Sequence, residues 1–205
     1  MKYSFKSTAF RVFGFTAYLA AVILFVALIS LNAQCGEVRD CVVRLHILAN
    51  SDTQADQAVK LAVRDAVLSS STALFDGSTD AENARIAVEK NREIIEKAAN
   101  SVLQASGVDY KAKLVFTEEF FDTREYDGFT MPAGRYKAVK LILGDGAGKN
   151  WWCVMFPPLC LPAASESADI DVLFSGNAKV IEGSRYQIRF KIVEVIEKIK
   201  NSINA

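Results

Sequence analysis

The chain has 205 residues, with 24 basic and 24 acidic side chains and a single histidine. This balance, without a dense cluster of lysine and arginine, argues against a nucleic-acid-binding surface. One histidine leaves little acid–base machinery for an enzyme, and no catalytic or metal-binding motif with the usual spacing is present. The sequence therefore shows no credible catalytic centre, and we expect no cofactor, no metal and no small-molecule substrate.

An apolar run near the start of the chain predicts export. Lys2, Lys6 and Arg11 precede the uncharged residues 12–31. A helix of about 20 apolar residues spans the hydrocarbon core of a bilayer and exceeds the usual signal-peptide core of about 7–15 residues. An uncleaved anchor is plausible, but a cleaved signal peptide remains open because Ala33 is a possible cleavage point.

The positive charges before this run place the start of the chain in the cytoplasm and the remainder outside. We expect residues 1–35 to be the targeting segment, which associates with the membrane. The remaining residues, 36–205, have the length of one extracytoplasmic domain.

Four cysteines in an exported domain suggest disulfides. We favour a Cys153–Cys160 bridge, since the intervening Pro-Pro turn can bring the chain back within bridging distance, and Cys35–Cys41 is the weaker second pair. Zinc binding and buried thiols remain alternatives, although both spacings are wider than a usual zinc knuckle.

The first predicted strand contains the histidine. Val43, Leu45 and Ile47 alternate with Arg44 and His46, a pattern typical of a strand with one apolar face. A lone histidine is more often a hydrogen-bonded structural group than a catalyst. A nucleophile–base site would need a positioned partner.

A helix is predicted directly after this strand. Ser51 and Gln54 form a capping box at its start, and it runs to about Ala73. One of its faces carries a charged row, Asp56, Lys60 and Arg64. This row is either a solvated stripe with an i,i+4 ion pair or a contact surface for a partner.

A second helix is predicted from a Thr79/Glu82 capping box to just before Gly107, followed by strands. Short glycine-rich connections favour an antiparallel meander of three strands: around residues 110–116, around residues 139–143, and the strand that begins after Asn150. The predicted fold class is α+β, with a mostly antiparallel sheet and two early helices and a terminal helix packed against it.

The terminal helix carries an apolar stripe that we expect to dock on the core. The stripe consists of Ile188, Ile192, Ile196, Ile199 and Ile203. Binding to a membrane surface is the minor alternative, because Glu194 and Glu197 offset much of the basic charge of this helix.

The third strand of the meander follows a glycine-rich turn. Its Gly144 and Gly148 are separated by three residues rather than four, and Asn150 stands where a phosphate-binding loop has Ser or Thr, so the turn does not match that motif. Trp151 and Trp152 must face opposite sides of this strand. We expect one to pack in the core and the other to be a partner contact.

Three blocks of sequence together resemble the stage II sporulation protein R family. They are residues 42–68 (VVRLHILANSDTQADQAVKLAVRDAVL), residues 131–150 (MPAGRYKAVKLILGDGAGKN) and residues 148–160 (GKNWWCVMFPPLC). In the first block the resemblance is carried by Arg44, His46, Asn50, Ser51, Asp52, Asp56, Gln57, Lys60, Arg64 and Asp65. Nothing is carried over to the segments outside residues 42–160.

The resemblance implies a signalling protein that is not an enzyme. Members of this family are exported from the forespore and trigger a membrane-embedded aspartic protease in the mother-cell membrane, which processes the precursor of sigma factor E. By analogy, we expect this chain to lie between the two membranes and to bind that protease. The expected partner-binding residues are Trp151, Trp152, Phe156, Pro157, Pro158, His46, Asn50, Asp52, Asp56, Lys60 and Arg64. The alternative is an extracytoplasmic hydrolase that uses His46 with Ser51 or Asp52.

Overall fold

The structure is a computed structural model that describes residues 3–75, 78, 80–126, 129–157, 159, 174, 178–181 and 188–203. Its helices are α1 (Tyr3–Asp40), α2 (Gln54–Ser71), α3 (Ala81–Lys90), α4 (Arg92–Ala105), α5 (Ala178–Ile181) and α6 (Ile188–Ile203), with a 3-10 turn at Thr72–Phe75. Its strands are β1 (Val43–Leu48), β2 (Ala112–Phe121), β3 (Arg124–Tyr126), β4 (Phe129–Met131), β5 (Gly134–Leu143) and β6 (Asn150–Phe156).

The strands form a four-stranded sheet in the order β2-β5-β1-β6 and a separate β3–β4 hairpin. β5 pairs antiparallel with β2 and parallel with β1, and β1 pairs antiparallel with β6. The predicted α+β class and the mostly antiparallel sheet are confirmed.

The predicted meander is wrong, because β1 lies between β5 and β6. Most residues of β1 are buried. This is expected for a central strand, which has a neighbouring strand on each edge and packed side chains on both faces. The connection from β5 to β6 crosses the end of β1, where Ala147 N donates to Asn50 O and Gly148 N donates to Ala49 O. A short connection therefore joins two strands that are not neighbours.

One face of the sheet packs against α2, α3 and α4. Alternate residues of the strands and the inward stripes of these helices form one apolar cluster, as their periodicities require. The buried members of this cluster from the three helices are Val63, Val67, Leu68, Ala81, Ala84, Val88, Ile95, Ala99 and Leu103. The predicted second helix is divided at Asn91, whose side-chain Nδ2 donates to Ala87 O.

The two ends of helix α1 differ in burial. It is long and apolar enough to cross a membrane, and its most apolar window has no residue buried in the protein. The same helix continues past the predicted boundary at residue 35, where Cys35 and Val38 are fully buried. The N-terminal helix thus fits a signal peptide or a membrane anchor, and its last turns pack against the domain.

The expected second disulfide is wrong, because Cys35 and Cys41 are not bridged. Cys35 lies in α1 and Cys41 directly follows its end, so six residues of helical rise place them about 9 Å apart along the axis. A disulfide requires Cα atoms within about 7 Å. Cys153 is buried, whereas Cys160 lies outside the described residues, so the Cys153–Cys160 bridge stays a prediction.

Helix α6 packs against the domain, but not through the isoleucine stripe. Phe190 and Val193 are each 1% exposed, and Glu194 and Glu197 are also buried. The predicted stripe lies on the other side, where Ile192, Ile199 and Ile203 are exposed and Ile196 is half-buried. The stripe prediction failed because α6 has two apolar faces, and spacing alone cannot tell which one docks.

Candidate functional site

The sheet has a second face, away from α2, α3 and α4, that is closed at one end and open at the other. Paired residues form rows across the four strands. From the open end, the rows are Lys113–Ile142–Leu48–Asn150, then Val115–Lys140–His46–Trp152, then Thr117–Ala138–Arg44–Val154. In the third row Ala138, Arg44 and Val154 are buried, whereas Lys113 and Asn150 in the first row are exposed. The first two rows are called the open sheet face.

Arg44 marks the closed end. Its guanidinium is fully buried, with Nε donating to Cys153 O at 3.1 Å and Nη2 donating to Tyr126 Oη at 2.6 Å. It also lies over the rings of Phe121 and Tyr136, at 4.5 and 5.1 Å from their centroids. Arg44 thereby ties the β3–β4 hairpin to β6, and the hairpin covers this part of the sheet.

His46 is the centre of a polar cluster on the open sheet face. Its Nδ1 lies 2.6 Å from Glu119 Oε2, and its Nε2 lies 3.0 Å from Asn150 Oδ1. Lys140 Nζ donates to the other Glu119 oxygen at 2.7 Å. The Trp152 ring stacks on the imidazole with a centroid distance of 3.6 Å. His46, Glu119, Lys140, Asn150 and Trp152 are called the His46 cluster.

The electrostatics of this cluster favour an ionised carboxylate. Burial raises the pKa of Glu119, but the hydrogen bonds donated by Lys140 and His46 outweigh it, so the pKa lies below the usual value. The Glu119 and Lys140 side chains are each 24% exposed, against 4% for His46. A partner on this face would meet an ion pair and a half-buried indole held in fixed positions.

A second polar cluster lies where β1 leads into α2. Asp56 accepts hydrogen bonds from Ser51 Oγ at 2.5 Å, Asn50 Nδ2 at 2.9 Å and Tyr110 Oη at 2.6 Å. The bonds from Ser51, Tyr110 and Asn50 lower the pKa of Asp56 to about 2, although burial acts in the opposite direction. Asn50, Ser51, Asp56 and Tyr110 are called the Asp56 cluster.

The Asp56 cluster continues into the glycine-rich connection between β5 and β6. Asn50 Oδ1 accepts from Asp145 N, and Asp52 Oδ1 accepts from Lys149 N. Gly144 has a φ of +57°, and a Cβ there would collide with the Asn50 side chain. A Cβ on Gly148 would collide with the backbone carbonyl of Ser51. The close approach of the two segments therefore requires these glycines.

Lys60 also supports this connection. Its side chain is 5% exposed, and its Nζ donates to Gln57 Oε1 and to the backbone carbonyl of Lys149. Burial lowers the pKa of Lys60. The description of Asp56 and Lys60 as part of a solvated stripe is wrong. Asp56 is held by the other residues of the Asp56 cluster, and Lys60 contacts the connection directly; their role as partner contacts stays a prediction.

The cap of α2 differs from the predicted one. The helix begins at Gln54, and Thr53 Oγ1 accepts from Asp56 N, the position that an N-cap side chain satisfies. Ser51 instead donates to Asp56 and accepts from Thr53 N. The Ser51/Gln54 capping box is wrong because the N-cap position is Thr53, two residues after Ser51. The second predicted box is also replaced, since Asp80 caps α3 and Thr79 lies outside the described residues.

The two tryptophans occupy opposite faces, as alternation predicts. Trp151 is half-buried against the helix side, and the Arg64 guanidinium lies 4.6 Å from its ring centroid. Trp152 is half-buried on the open sheet face, where it also meets Phe121 edge-on at 4.7 Å. Their roles as core residue and partner contact stay predictions.

The other predicted contact residues divide by burial. Asn50 is half-buried and Asp52 is exposed, and both bond the glycine-rich connection. Phe156 and Pro157 are buried at the end of β6, with Phe156 5.5 Å from the Phe75 ring. Pro158 lies outside the described residues.

The predicted hydrolase pair is not brought together. The His46 nitrogens contact Glu119 and Asn150, whereas Ser51 Oγ donates to Asp56. Asp52 accepts from Lys149 N. The residues proposed as nucleophile and base thus belong to separate clusters.

Sequence reasoning did not identify Glu119 or Lys140 as site residues. Lys140 lies within the second block of the resemblance, so it could have been selected there. Glu119 lies outside all three blocks, and only the pairing of β2 with β5 brings it to His46. Identifying it required the strand order that the sequence did not reveal.

Comparisons with known proteins agree with the three blocks. The profile described as stage II sporulation protein R matches residues 39–166. The chain is also 35% identical over 151 residues to stage II sporulation protein R of Bacillus subtilis strain 168, covering 71% of this chain and 67% of that protein. No solved structure matches. The chain therefore belongs to the stage II sporulation protein R family of sporulation proteins.

Proposed function

We propose that this chain is an exported sporulation signal that binds a membrane-embedded aspartic protease and thereby activates processing of the sigma factor E precursor. The protein acts as a ligand, in the space between the forespore and mother-cell membranes, and performs no chemistry of its own. The contact surface is the open sheet face.

One observation carries the location of this surface. The three blocks of the family resemblance converge there, with His46 from the first, Lys140 from the second and Trp152 from the third, on adjacent strands. These residues need not meet merely to build the main core, which lies on the opposite face of the sheet. Their arrangement supports a surface whose shape the family shares.

The chemistry of the open sheet face also supports protein binding. It holds four half-buried apolar side chains, Ile142 and Leu48 on the two central strands and Val115 and Trp152 on the edge strands. Charged and polar groups lie among them, including exposed Lys113 and the Glu119–Lys140 ion pair. Protein interfaces combine apolar contact area with polar groups, and tryptophan is enriched among their energetic anchors.

The test is co-expression of the full-length chain with the protease and the sigma factor precursor, with processing as the readout. We expect Ile142→Ser, in the centre of the open sheet face, to reduce processing at least about tenfold, as loss of a central anchor does. The matched control is Leu61→Ser, which changes a 38% exposed apolar residue of α2 on the helix side.

Pull-down of the protease by the full-length chain under oxidising conditions separates binding from surface location. If the wild-type chain activates processing but captures no protease, direct binding is refuted. If it captures protease and both variants behave alike, the contact surface lies elsewhere.

A further inference from the structure

Helix α6 presents an apolar face to solvent. Ile192, Val195, Ile199 and Ile203 are 37, 48, 55 and 77% exposed. An α-helix turns about 100° per residue, so these four side chains fall within one arc. That arc is opposite Phe190 and Val193, through which the helix packs against the protein. The outward face is therefore apolar along the length of the helix.

The charges of α6 are sorted between its two sides. Glu194 and Glu197 are buried on the docked side, at 7 and 8% exposure. Lys191, Lys198 and Lys200 flank the apolar arc, and their side chains are 60, 51 and 50% exposed. The outward half of α6 consequently combines apolar and basic residues while its carboxylates face the protein.

This sorting weakens the objection to membrane binding that the sequence raised. Glu194 binds Lys191 and Lys198 at 3.2 and 2.9 Å, Glu197 binds Lys200 at 2.7 Å, and Lys198 also binds Asp122 at 2.9 Å. Because Glu194 and Glu197 are buried while the lysines they bind are at least half exposed, the lysine ends of these pairs are the ones that a bilayer can reach. Lysines along the edges of an apolar arc can extend to phosphate groups while their stems cover apolar surface.

The position of α6 relative to α1 also indicates that this face lies close to a bilayer. Leu31, the last residue of the apolar run, packs against the cluster that contains Phe190 and Val193. With its amide oriented to satisfy both neighbours, Asn32 lies 3.1 Å from Glu197 Oε1 and 3.1 Å from Lys200 Nζ. The second half of α6 therefore touches α1 at the point where the apolar run of α1 ends. Since α1 is one continuous helix to Asp40, no linker separates its apolar run from the part that packs against the protein.

We propose that the outward face of α6 lies on the surface of a lipid bilayer containing anionic phospholipid, beside the point where α1 enters it. The isoleucines enter the boundary between head groups and acyl chains, and the lysines bind the phosphates. The domain is then held in a fixed orientation at the membrane rather than tethered loosely.

The experiment uses the full-length chain in bilayer nanodiscs of phosphatidylcholine and phosphatidylglycerol, doped with a phospholipid that carries a diazirine on its acyl chain. After irradiation, mass spectrometry maps lipid adducts on residues 188–203. The variant combines Ile199→Ser with Ile203→Ser, both at exposed positions, and Ile94→Ser is the control, on 45% exposed α4 surface. Adducts on α1 report successful insertion in every sample.

We expect adducts on α6 in the wild type and in Ile94→Ser, and a decrease of about fivefold or more in the double variant. Replacing phosphatidylglycerol by phosphatidylcholine should lower α6 labelling by a similar factor. Adducts confined to α1, or α6 labelling that the double variant leaves unchanged, would overturn the proposal. Protein–protein cross-links between α6 helices without lipid adducts would instead assign this face to a second copy of the chain.

Discussion

The Asp56 cluster and the His46 cluster each contain a hydrogen-bonded carboxylate, but they differ in their exposure to solvent. In each, a carboxylate accepts hydrogen bonds from residues of the family blocks. Asp56 is 8% exposed and bonds groups that position the β5–β6 connection. Glu119 and Lys140 are each 24% exposed beside half-buried Trp152.

The difference in exposure suggests that the two clusters have different roles, one in supporting the fold and the other in contacting a partner. The Asp56 cluster fixes the path of the connection that leads into β6, and so determines where Trp152 lies. The His46 cluster lies on the surface that this path creates. Substitutions in the first should act through stability, and substitutions in the second should act through binding.

The largest expected effect on stability comes from Asp56→Ala. Removing this carboxylate leaves the hydroxyls of Ser51 and Tyr110 and the amide of Asn50 without their acceptor, which should cost about 3 kcal/mol of unfolding free energy. Urea unfolding measures this cost. Asp65→Ala removes a 66% exposed carboxylate from the same helix and should cost less than about 0.5 kcal/mol. Equal costs would show that the Asp56 cluster is not the support described here.

Acid should weaken the Asp56 cluster in a defined range. The pKa of Asp56 falls from 3.8 to about 2 in the folded protein, so the unfolded chain binds a proton there more readily. The stability that Asp56 contributes is therefore fully present above about pH 4 and is lost as the pH falls towards 2. Between about pH 5 and pH 2.5, the melting temperature of Asp56→Asn should fall less than that of the wild type. Parallel curves for the two proteins would contradict this account.

The two adjacent tryptophans test whether the two faces of β6 have different roles. Trp151→Ala opens a space between β6 and Arg64 on the helix side, and Trp152→Ala removes the ring stacked on His46. Each should cost about 2–3 kcal/mol, since both side chains are only half-buried. At temperatures where both variants are folded, only Trp152→Ala should lose activation of precursor processing. Loss of processing in both folded variants would mean that the signal does not depend on which face an indole occupies.

Most of the strands and helices could be predicted from periodicity because they have a strongly apolar side, such as Val43, Leu45 and Ile47 in β1; the short β3–β4 hairpin was not predicted. The strand order could not be predicted, since a short connection from β5 to β6 gives no sign that β1 lies between them. The contact of Glu119 with His46 depends on that order and was missed with it. A pattern in one segment specifies which face is buried, but it does not specify the neighbour.

The orientation of α6 and the role of Lys60 were missed for related reasons. Helix α6 is apolar on both sides, and the side that docks is the one whose Phe190 and Val193 pack with Cys35 and Leu31 of α1, a contact between segments far apart in the sequence. Lys60 was expected to lie at the surface, in a solvated stripe or a partner contact, because lysine is usually exposed. Its partner is the Lys149 carbonyl, a backbone group that carries no sequence signal.

The smallest change in stability, with a measurable change in binding, is expected for Lys113→Glu at the rim of the open sheet face. Lys113 is exposed and pairs across the sheet with Ile142, beside the apolar centre of the proposed contact surface. Reversing an exposed charge should change the unfolding free energy by less than about 0.5 kcal/mol. A rim charge acts mainly on the rate of association, so protease binding should slow about two- to tenfold, with a smaller difference at high salt. Lys97→Glu makes the same change in net charge on exposed α4 surface and should bind like the wild type. If both variants slow binding equally, the effect is due to the net charge of the protein, and the open sheet face is not the site of contact.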